Sequence, residues 1–151
     1  ENGRVLGMFY PEFDMDRYLE LLSRFELGAD KLAGQLSKGE NTKAQLAFAL
    51  AHKPELLLLD EPTGGLDPIV RREFLYVLQS ELMDERMSII FSTHITEDLD
   101  KVADYVAMME KGQLLFYETK DELLERLTGE NGERLTLKQL MVKLCREGEK
   151  K

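Results

Sequence analysis

Two acidic residues directly follow a run of four leucines in this 151-residue chain. The apolar side chains of residues 55–59 do not alternate with polar ones, and this pattern predicts a fully buried strand that ends at Asp60 and Glu61. Ligands of open α/β sheets bind beyond the carboxyl ends of the strands. There, an aspartate can hold the water shell of Mg²⁺, and a neighbouring glutamate can accept a proton from a water that attacks phosphate. The simpler alternative is that both residues only form a turn.

A histidine follows a second apolar run in the same way. Residues 87–91 predict another buried strand, and the helix between the two runs begins with Asp67 as its cap. This strand–helix–strand order predicts a parallel pair joined by a right-handed crossover. We therefore expect His94 at the same sheet edge as Glu61, where an imidazole could contact a phosphate oxygen or hold the attacking water. A surface or capping role is the alternative for a single loop histidine.

A third candidate site lies at the start of a predicted helix, in the sequence Leu-Ser-Lys-Gly-Glu at residues 36–40. Ser37 and Glu40 have the spacing of a capping box, and an Ala- and Leu-rich run to about residue 52 follows them. Backbone amides at a helix N-terminus attract anions, and the Ser37 hydroxyl and Gly39 would allow a phosphate to approach closely. A capping box alone explains the same residues, so both interpretations remain open at this point.

The elements around these residues predict an α/β fold. Each further element has a recognisable start or turn signal. They are a helix after Asp14, a helix capped by Thr96 to about residue 102, a hairpin of 105–109 and 113–117 around Lys111-Gly112, and helices from Thr119 and Thr136. The strands are few for a complete parallel sheet.

Composition excludes several classes of protein. Lys and Arg total 20 against 29 Asp and Glu, and a net charge of −9 disfavours binding to nucleic acid or to anionic lipid. The apolar runs are far shorter than a membrane-spanning helix requires. The single cysteine, Cys145, excludes an internal disulfide and favours a reducing, cytosolic environment. The chain begins with Glu1, and we expect it to be the C-terminal part of a longer protein.

Taken together, the motifs resemble those of the nucleotide-binding domain of ABC transporters. Residues 36–40 are similar to the signature motif, 56–62 to the Walker B strand with its glutamate, 64–67 to the D-loop, and 92–94 to the switch histidine. The resemblance extends over roughly residues 9–126. Within the family, the chain most resembles small bacterial ATPases that pair with separate membrane subunits of the drug- and peptide-exporting type.

This resemblance implies a fold and a domain organisation. The fold would be α/β, a partial P-loop NTPase core with a parallel sheet and flanking helices, preceded by part of the helical subdomain. Residues 1–151 would form one incomplete domain. Its parts would be the helical subdomain and signature helix at about 9–52, the Walker B, D-loop and switch-histidine core at about 53–126, and a helical tail at about 127–151.

The resemblance also implies a function, namely Mg²⁺-dependent ATP hydrolysis shared between two nucleotide-binding subunits on a membrane-spanning permease. The chain would lie in the cytoplasm against the inner face of the cell membrane and would not bind nucleic acid. The resemblance implies that Asp60 supports Mg²⁺ through water, that Glu61 polarises the attacking water and that His94 touches the γ-phosphate. It also implies roles between two subunits. Asp67 would communicate across the dimer, and Ser37 and Gly39 would bind the γ-phosphate of ATP held by the partner.

Two features depart from the family pattern. Lys38 and Glu40 occupy the third and fifth positions of a signature that commonly reads Leu-Ser-Gly-Gly-Gln. Lys38 could add positive charge near phosphate or point to solvent, and Glu40 could be the capping partner of Ser37. In addition, no Gly-Lys pair occurs in the chain, so the phosphate-binding loop G-x-x-x-x-G-K-[ST] is absent. We therefore expect this chain to be inactive alone.

The missing loop also has a structural consequence. In the family's sheet, the strand at 87–91 lies next to the strand that carries the phosphate-binding loop. Without this neighbour, an apolar edge would remain unpaired and would favour self-association. Two alternative functions remain open, an ABC ATPase that acts outside transport and a non-catalytic binding or regulatory module derived from the same fold.

Overall fold

The computed structural model describes residues 2–127 together with Thr136, Leu137 and Gln139. The predicted helix from Thr136 therefore lies mostly outside the described residues, and so does Cys145. The chain divides into two compact units, Glu1–His94 and Ile95–Lys151. Within the described ranges, no helix is long and apolar enough to span a membrane.

The described residues of the first unit form four α-helices and two strands. In chain order they are α1 (Asn2–Gly7), α2 (Met15–Arg24), a short 3-10 turn (Ala33–Gln35), α3 (Lys38–Leu50), β1 (Leu56–Asp60), α4 (Pro68–Glu81) and β2 (Ser88–Ser92). β1 and β2 pair directly in parallel, and helix α4 connects them along the chain, as the sequence predicts. Leu56 is the partner of Ser88 at one end of the register, and Asp60 is the partner of Ser92 at the other.

The prediction that both strands are fully buried is wrong. Leu57 is only 7% exposed, but Leu58 and Ile90 are 67% and 62% exposed. Alternate residues of a strand point to opposite faces, so the sheet is covered on one face and open on the other. Among the described residues of this unit, no element covers the face that carries Leu58 and Ile90.

Helices α2, α3 and α4 supply the core of the first unit. Their most deeply buried apolar side chains are Leu21, Leu46, Ala47, Leu50, Phe74, Leu75, Val77 and Leu78. Ion pairs join these helices to one another, among them Arg24 of α2 with Glu81 of α4 at 2.9 Å. Arg17 of α2 contacts Glu81 at the end of α4 at 2.5 Å, and the buried Lys43 of α3 pairs with Glu73 of α4. The position of α3 relative to α4 is therefore fixed by both packing and charge.

The second unit contains α5 (Thr96–Val102), the antiparallel strands β3 (Tyr105–Glu110) and β4 (Gln113–Thr119), and α6 (Lys120–Leu127). The predicted hairpin is confirmed, and Lys111 and Gly112 both have positive φ, which matches the right-handed twist of the strands. The predicted helix from Thr119 is also confirmed, and Thr119 and Glu122 form a capping box in which each side chain accepts a hydrogen bond from the backbone N–H of the other.

The prediction that Thr96 caps α5 is wrong by one residue. Ile95 occupies the cap position with an extended backbone, and Thr96 is the first helical residue. The carbonyl of Ile95 accepts a hydrogen bond from the backbone N–H of Asp98. Glu97 and Asp98 occupy the first turn, where negative charge is favourable near the helix N-terminus. These two acidic residues therefore favour the start of α5 without a hydroxyl at the cap position.

Candidate functional site

The carboxyl ends of β1 and β2 bring three of the predicted residues to one sheet edge. Nδ1 of His94 lies 2.7 Å from Oε2 of Glu61, and Asp60 directly precedes Glu61 at the end of β1. The prediction that His94 lies at the same edge as Glu61 is thus confirmed. Because a carboxylate can only accept a hydrogen bond, Nδ1 of His94 donates to Glu61. Nε2 is then the ring nitrogen that could contact a ligand.

Ser92 connects the ends of the two strands. Its hydroxyl donates to Oδ1 of Asp60 at 2.6 Å and accepts from the backbone N–H of Glu61 at 2.9 Å. The same N–H also approaches the carbonyl of Ser92 at 3.2 Å. No separate role was predicted for Ser92, although the residue lies within the Ser-Thr-His motif at residues 92–94. The signal that could have identified Ser92 is its hydroxyl at the last position of β2, the strand next to β1.

Glu61 has an unusual backbone conformation. Its φ is +45°, in the left-handed region that residues other than glycine rarely adopt. Such a conformation persists only where the surrounding structure enforces it, and it is concentrated at functional sites. The Glu61 and His94 side chains are 42% and 74% exposed, so a ligand can reach both from solvent.

Asp60 fits the role of supporting a hydrated Mg²⁺ ion. Mg²⁺ usually keeps several waters and binds one or two carboxylates plus substrate phosphates. Oδ1 of Asp60 accepts the Ser92 hydroxyl, which leaves Oδ2 for a metal-bound water. Within the part of the chain that the structure describes, no group of three or more His, Cys, Asp or Glu forms a metal cage.

The start of α3 forms a second cluster, separate from the Glu61–His94 contact. The capping box is confirmed, because the Ser37 hydroxyl accepts from the Glu40 N–H at 3.2 Å and the Ser37 N–H donates to Glu40 Oε2 at 2.9 Å. Lys31 also contacts Glu40 at 2.6 Å. The hydrogen bond from Lys31, together with those from Ser37, lowers the pKa of Glu40 to about 2. Lys31 was not predicted as a partner of Glu40, because it lies nine positions earlier in the chain.

The α3 start also contacts the loop that precedes α4. Nζ of Lys38 donates to the carbonyl of Gly64 at 3.1 Å, so the Lys38 side chain lies along the protein rather than extending into solvent. Gly65 has φ +69°, and a Cβ at this position would lie 2.6 Å from the same Nζ. A Cβ on Gly39 would lie 3.1 Å from Cγ1 of Val70. Both glycines therefore allow the two helix starts to approach each other closely.

Asp67 caps α4, as the sequence predicts. Its Oδ1 accepts hydrogen bonds from the backbone N–H groups of Ile69 and Val70 at 3.0 and 3.1 Å. Pro68 occupies the first helical position, where its missing N–H costs nothing. The six predicted site residues therefore lie at three places: the sheet edge, the start of α3 and the start of α4.

The parallel strand pair, its acidic carboxyl edge and the capped helix starts are the parts of an ABC-type ATPase core. A family profile described as "ABC transporter" matches residues 8–64. The chain belongs to the ABC transporter ATP-binding family, and its fold is a partial P-loop NTPase fold with a parallel sheet.

Two curated relatives and one solved structure illustrate this membership. The ABC transporter ATP-binding protein YtrB of Bacillus subtilis (strain 168) is 32% identical over 80% of this chain and 41% of its own length. The linearmycin resistance ATP-binding protein LnrL of the same organism is 33% identical over 89% of this chain and 43% of its own length. The curated matches also include sulfate/thiosulfate import ATP-binding proteins.

The solved structure of cbiO1 from Clostridium perfringens, part of the ABC transporter complex cbiONQ, has a TM-score of 0.62 and 25% identity. The similarity covers 82% of this chain and 54% of that chain. This chain thus spans about two fifths of the length of the curated relatives that it matches.

Proposed function

We propose that this chain is the C-terminal part of the ATP-binding subunit of an ABC transporter that couples ATP hydrolysis to export across a bacterial membrane. The observation that carries the proposal is the contact between Glu61 and His94 beside Asp60 at the carboxyl edge of a parallel sheet. A general base next to a histidine and a metal-supporting carboxylate suits attack of water on a phosphate.

Each predicted site residue has a role in this proposal. Asp60 supports Mg²⁺ through water, Glu61 polarises the attacking water and His94 contacts the γ-phosphate. The remaining residues act between two copies of the domain, with Asp67 communicating across the dimer. Ser37 and Gly39 bind the γ-phosphate of ATP that the partner subunit holds, through the first amides of α3.

The export direction and the location belong to the same proposal. The similarity to a linearmycin resistance protein over most of the chain supports export. A membrane-spanning permease and a second nucleotide-binding subunit are the proposed partners, and the similarity to a component of the cbiONQ complex supports the first of them. The chain would then lie on the cytoplasmic face of the membrane. Transport assays in inverted vesicles distinguish export from import by the side on which substrate accumulates.

The domain organisation stays a prediction within this proposal. Residues 1–151 would form one incomplete nucleotide-binding domain, with parts at about 9–52, 53–126 and 127–151. The chain contains no Gly-Lys pair, so the amides and the lysine that cradle the β- and γ-phosphates must come from elsewhere. We therefore propose that this chain is inactive alone.

Titration calorimetry of the 151-residue chain with Mg-ATP tests that inactivity. We expect no saturable heat up to millimolar nucleotide, for the wild type or for Glu61→Gln. Saturable, stoichiometric binding would contradict the proposal and would favour a nucleotide-sensing module instead.

The same substitution tests catalysis in the full-length gene product. There, Glu61→Gln should preserve Mg-ATP binding but lower kcat by about 10²- to 10⁴-fold, because the general base is lost. Unchanged hydrolysis in this variant would exclude Glu61 as the base.

A further inference from the structure

We propose that Ser92 is a positioning residue for the chemistry at Asp60 and Glu61. This inference rests on the proposed function, and it adds a residue that the family resemblance did not assign. Ser92 is the last residue of β2 and the register partner of Asp60, the last residue of β1. Its hydroxyl forms hydrogen bonds with both Asp60 and Glu61.

The direction of the two hydrogen bonds is fixed by chemistry. A serine hydroxyl has one proton, and Oδ1 of Asp60 at 2.6 Å can only accept it. The lone pairs of Oγ therefore face the backbone N–H of Glu61 at 2.9 Å, which can only donate. One hydroxyl thus links a side chain that would support the metal to the backbone of the residue that would act as base.

The two bonds have different consequences. The bond to Asp60 occupies Oδ1, so Oδ2 would be the oxygen that supports a metal-bound water. The bond to Glu61 holds a backbone with φ +45°, a conformation that needs outside support. With this backbone in place, the Glu61 carboxylate reaches Nδ1 of His94. Loss of the Ser92 hydroxyl would leave the Glu61 N–H with the Ser92 carbonyl at 3.2 Å as its remaining partner.

Nuclear magnetic resonance on the 151-residue chain tests the geometry without nucleotide. In Ser92→Ala, the amide of Glu61 should exchange with solvent about tenfold faster, and its resonance should shift together with those of His94. Ser92→Thr, which keeps a hydroxyl, should restore both properties. Ser88→Ala is the matched control, since Ser88 begins the same strand and lies at the opposite end of it. A Glu61 amide that responds equally to Ser92→Ala and Ser88→Ala would overturn the inference.

Kinetics on the full-length gene product test the consequence. Substitution of groups that orient metal ligands typically costs about 10- to 100-fold in metal affinity or activity. We expect Ser92→Ala to lower kcat within that range, with KM for ATP changed less than about threefold, and to raise the Mg²⁺ concentration needed for half-maximal rate. Ser92→Thr should recover most of the rate. A wild-type rate in Ser92→Ala would overturn the positioning role.

The two experiments separate this inference from the proposed function. If the Glu61 amide responds to Ser92→Ala but the wild-type full-length product does not hydrolyse ATP, the proposed function fails and the Ser92 geometry stands. If hydrolysis is present but neither the amide nor the rate responds, the positioning role fails and the proposed function stands.

Discussion

Glu40 shows how a single side chain can stabilise a helix start while departing from a family motif. The signature commonly has glutamine at this position, and glutamate here accepts hydrogen bonds from Lys31 and from the Ser37 backbone. These contacts favour the ionised carboxylate and lower the pKa of Glu40 to about 2 from an ordinary value of 4.5. A glutamine could accept the same bonds but would bring no negative charge to the N-terminus of α3.

This pKa predicts a pH-dependent contribution to stability. Because the pKa in the folded state lies below its ordinary value, the ionised form favours folding. The contribution is complete above about pH 4.5 and is lost as the pH falls toward 2. Glu40→Gln should therefore unfold at a lower urea concentration than the wild type at pH 7, and the difference should shrink toward zero near pH 2.

Urea titrations of both proteins across this pH range provide the measurement. Glu12→Gln is the control, since Glu12 is an exposed glutamate of the same unit and lies outside the α3 start. A wild-type advantage that persists unchanged at pH 2 would show that the charge of Glu40 is not the cause.

At the scale of elements, the starts of α3 and α4 depend on a left-handed glycine between them. Gly65 has φ +69°, a conformation that costs residues with a Cβ about 1–2 kcal/mol. Gly65→Ala should lower the free energy of unfolding by about this amount. The contact between the new Cβ and Nζ of Lys38 should add little, because the end of a lysine side chain can move aside.

A double-mutant comparison separates these two causes. If the backbone is responsible, Gly65→Ala should cost nearly the same in a Lys38→Ala background as in the wild type. Gly34→Ala is the matched control, because a Cβ at Gly34 would meet no atom within 4 Å. Equal unfolding free energies for Gly65→Ala and Gly34→Ala, measured by urea denaturation, would argue against a left-handed turn in solution.

The sequence predicted those features of the elements that depend on neighbouring residues. The caps at Ser37, Asp67 and Thr119 are local hydrogen bonds over two or three positions, and their residue types identify them. The contacts of Lys38 with Gly64 and of Ser92 with Asp60 join residues 26 and 32 positions apart, and no periodicity encodes them. The strand–helix–strand order predicted that His94 lies at the same edge as Glu61, but neither this order nor the family resemblance carried information about the partner of Lys38.

At the scale of the whole chain, the exposed sheet face shows where sequence reasoning was misled. Residues 55–59 have the pattern of a strand that is covered on both faces, and such strands occur in complete α/β domains. The chain spans only about two fifths of its curated relatives. The pattern therefore fits a strand that is buried inside a larger domain, whereas Leu58 and Ile90 are exposed in this chain.

This exposed sheet predicts self-association of the 151-residue chain. β1 and β2 form a two-stranded sheet, so each strand has only one sheet partner in the described part of the chain. An open strand edge beside apolar side chains is a template for pairing with another copy. We expect light scattering at high micromolar concentration to give a mass that is a multiple of 17.4 kDa.

A charge on the exposed face should reverse this association. Ile90→Lys places an ammonium group on β2 at a side chain that is already 62% exposed, so it should reduce the mass to 17.4 kDa with little loss of stability. Met83→Lys is the control, because Met83 is 83% exposed but lies outside both strands. A monomeric wild type would contradict the prediction. A multiple that persists in Ile90→Lys would assign the association to a surface other than the sheet.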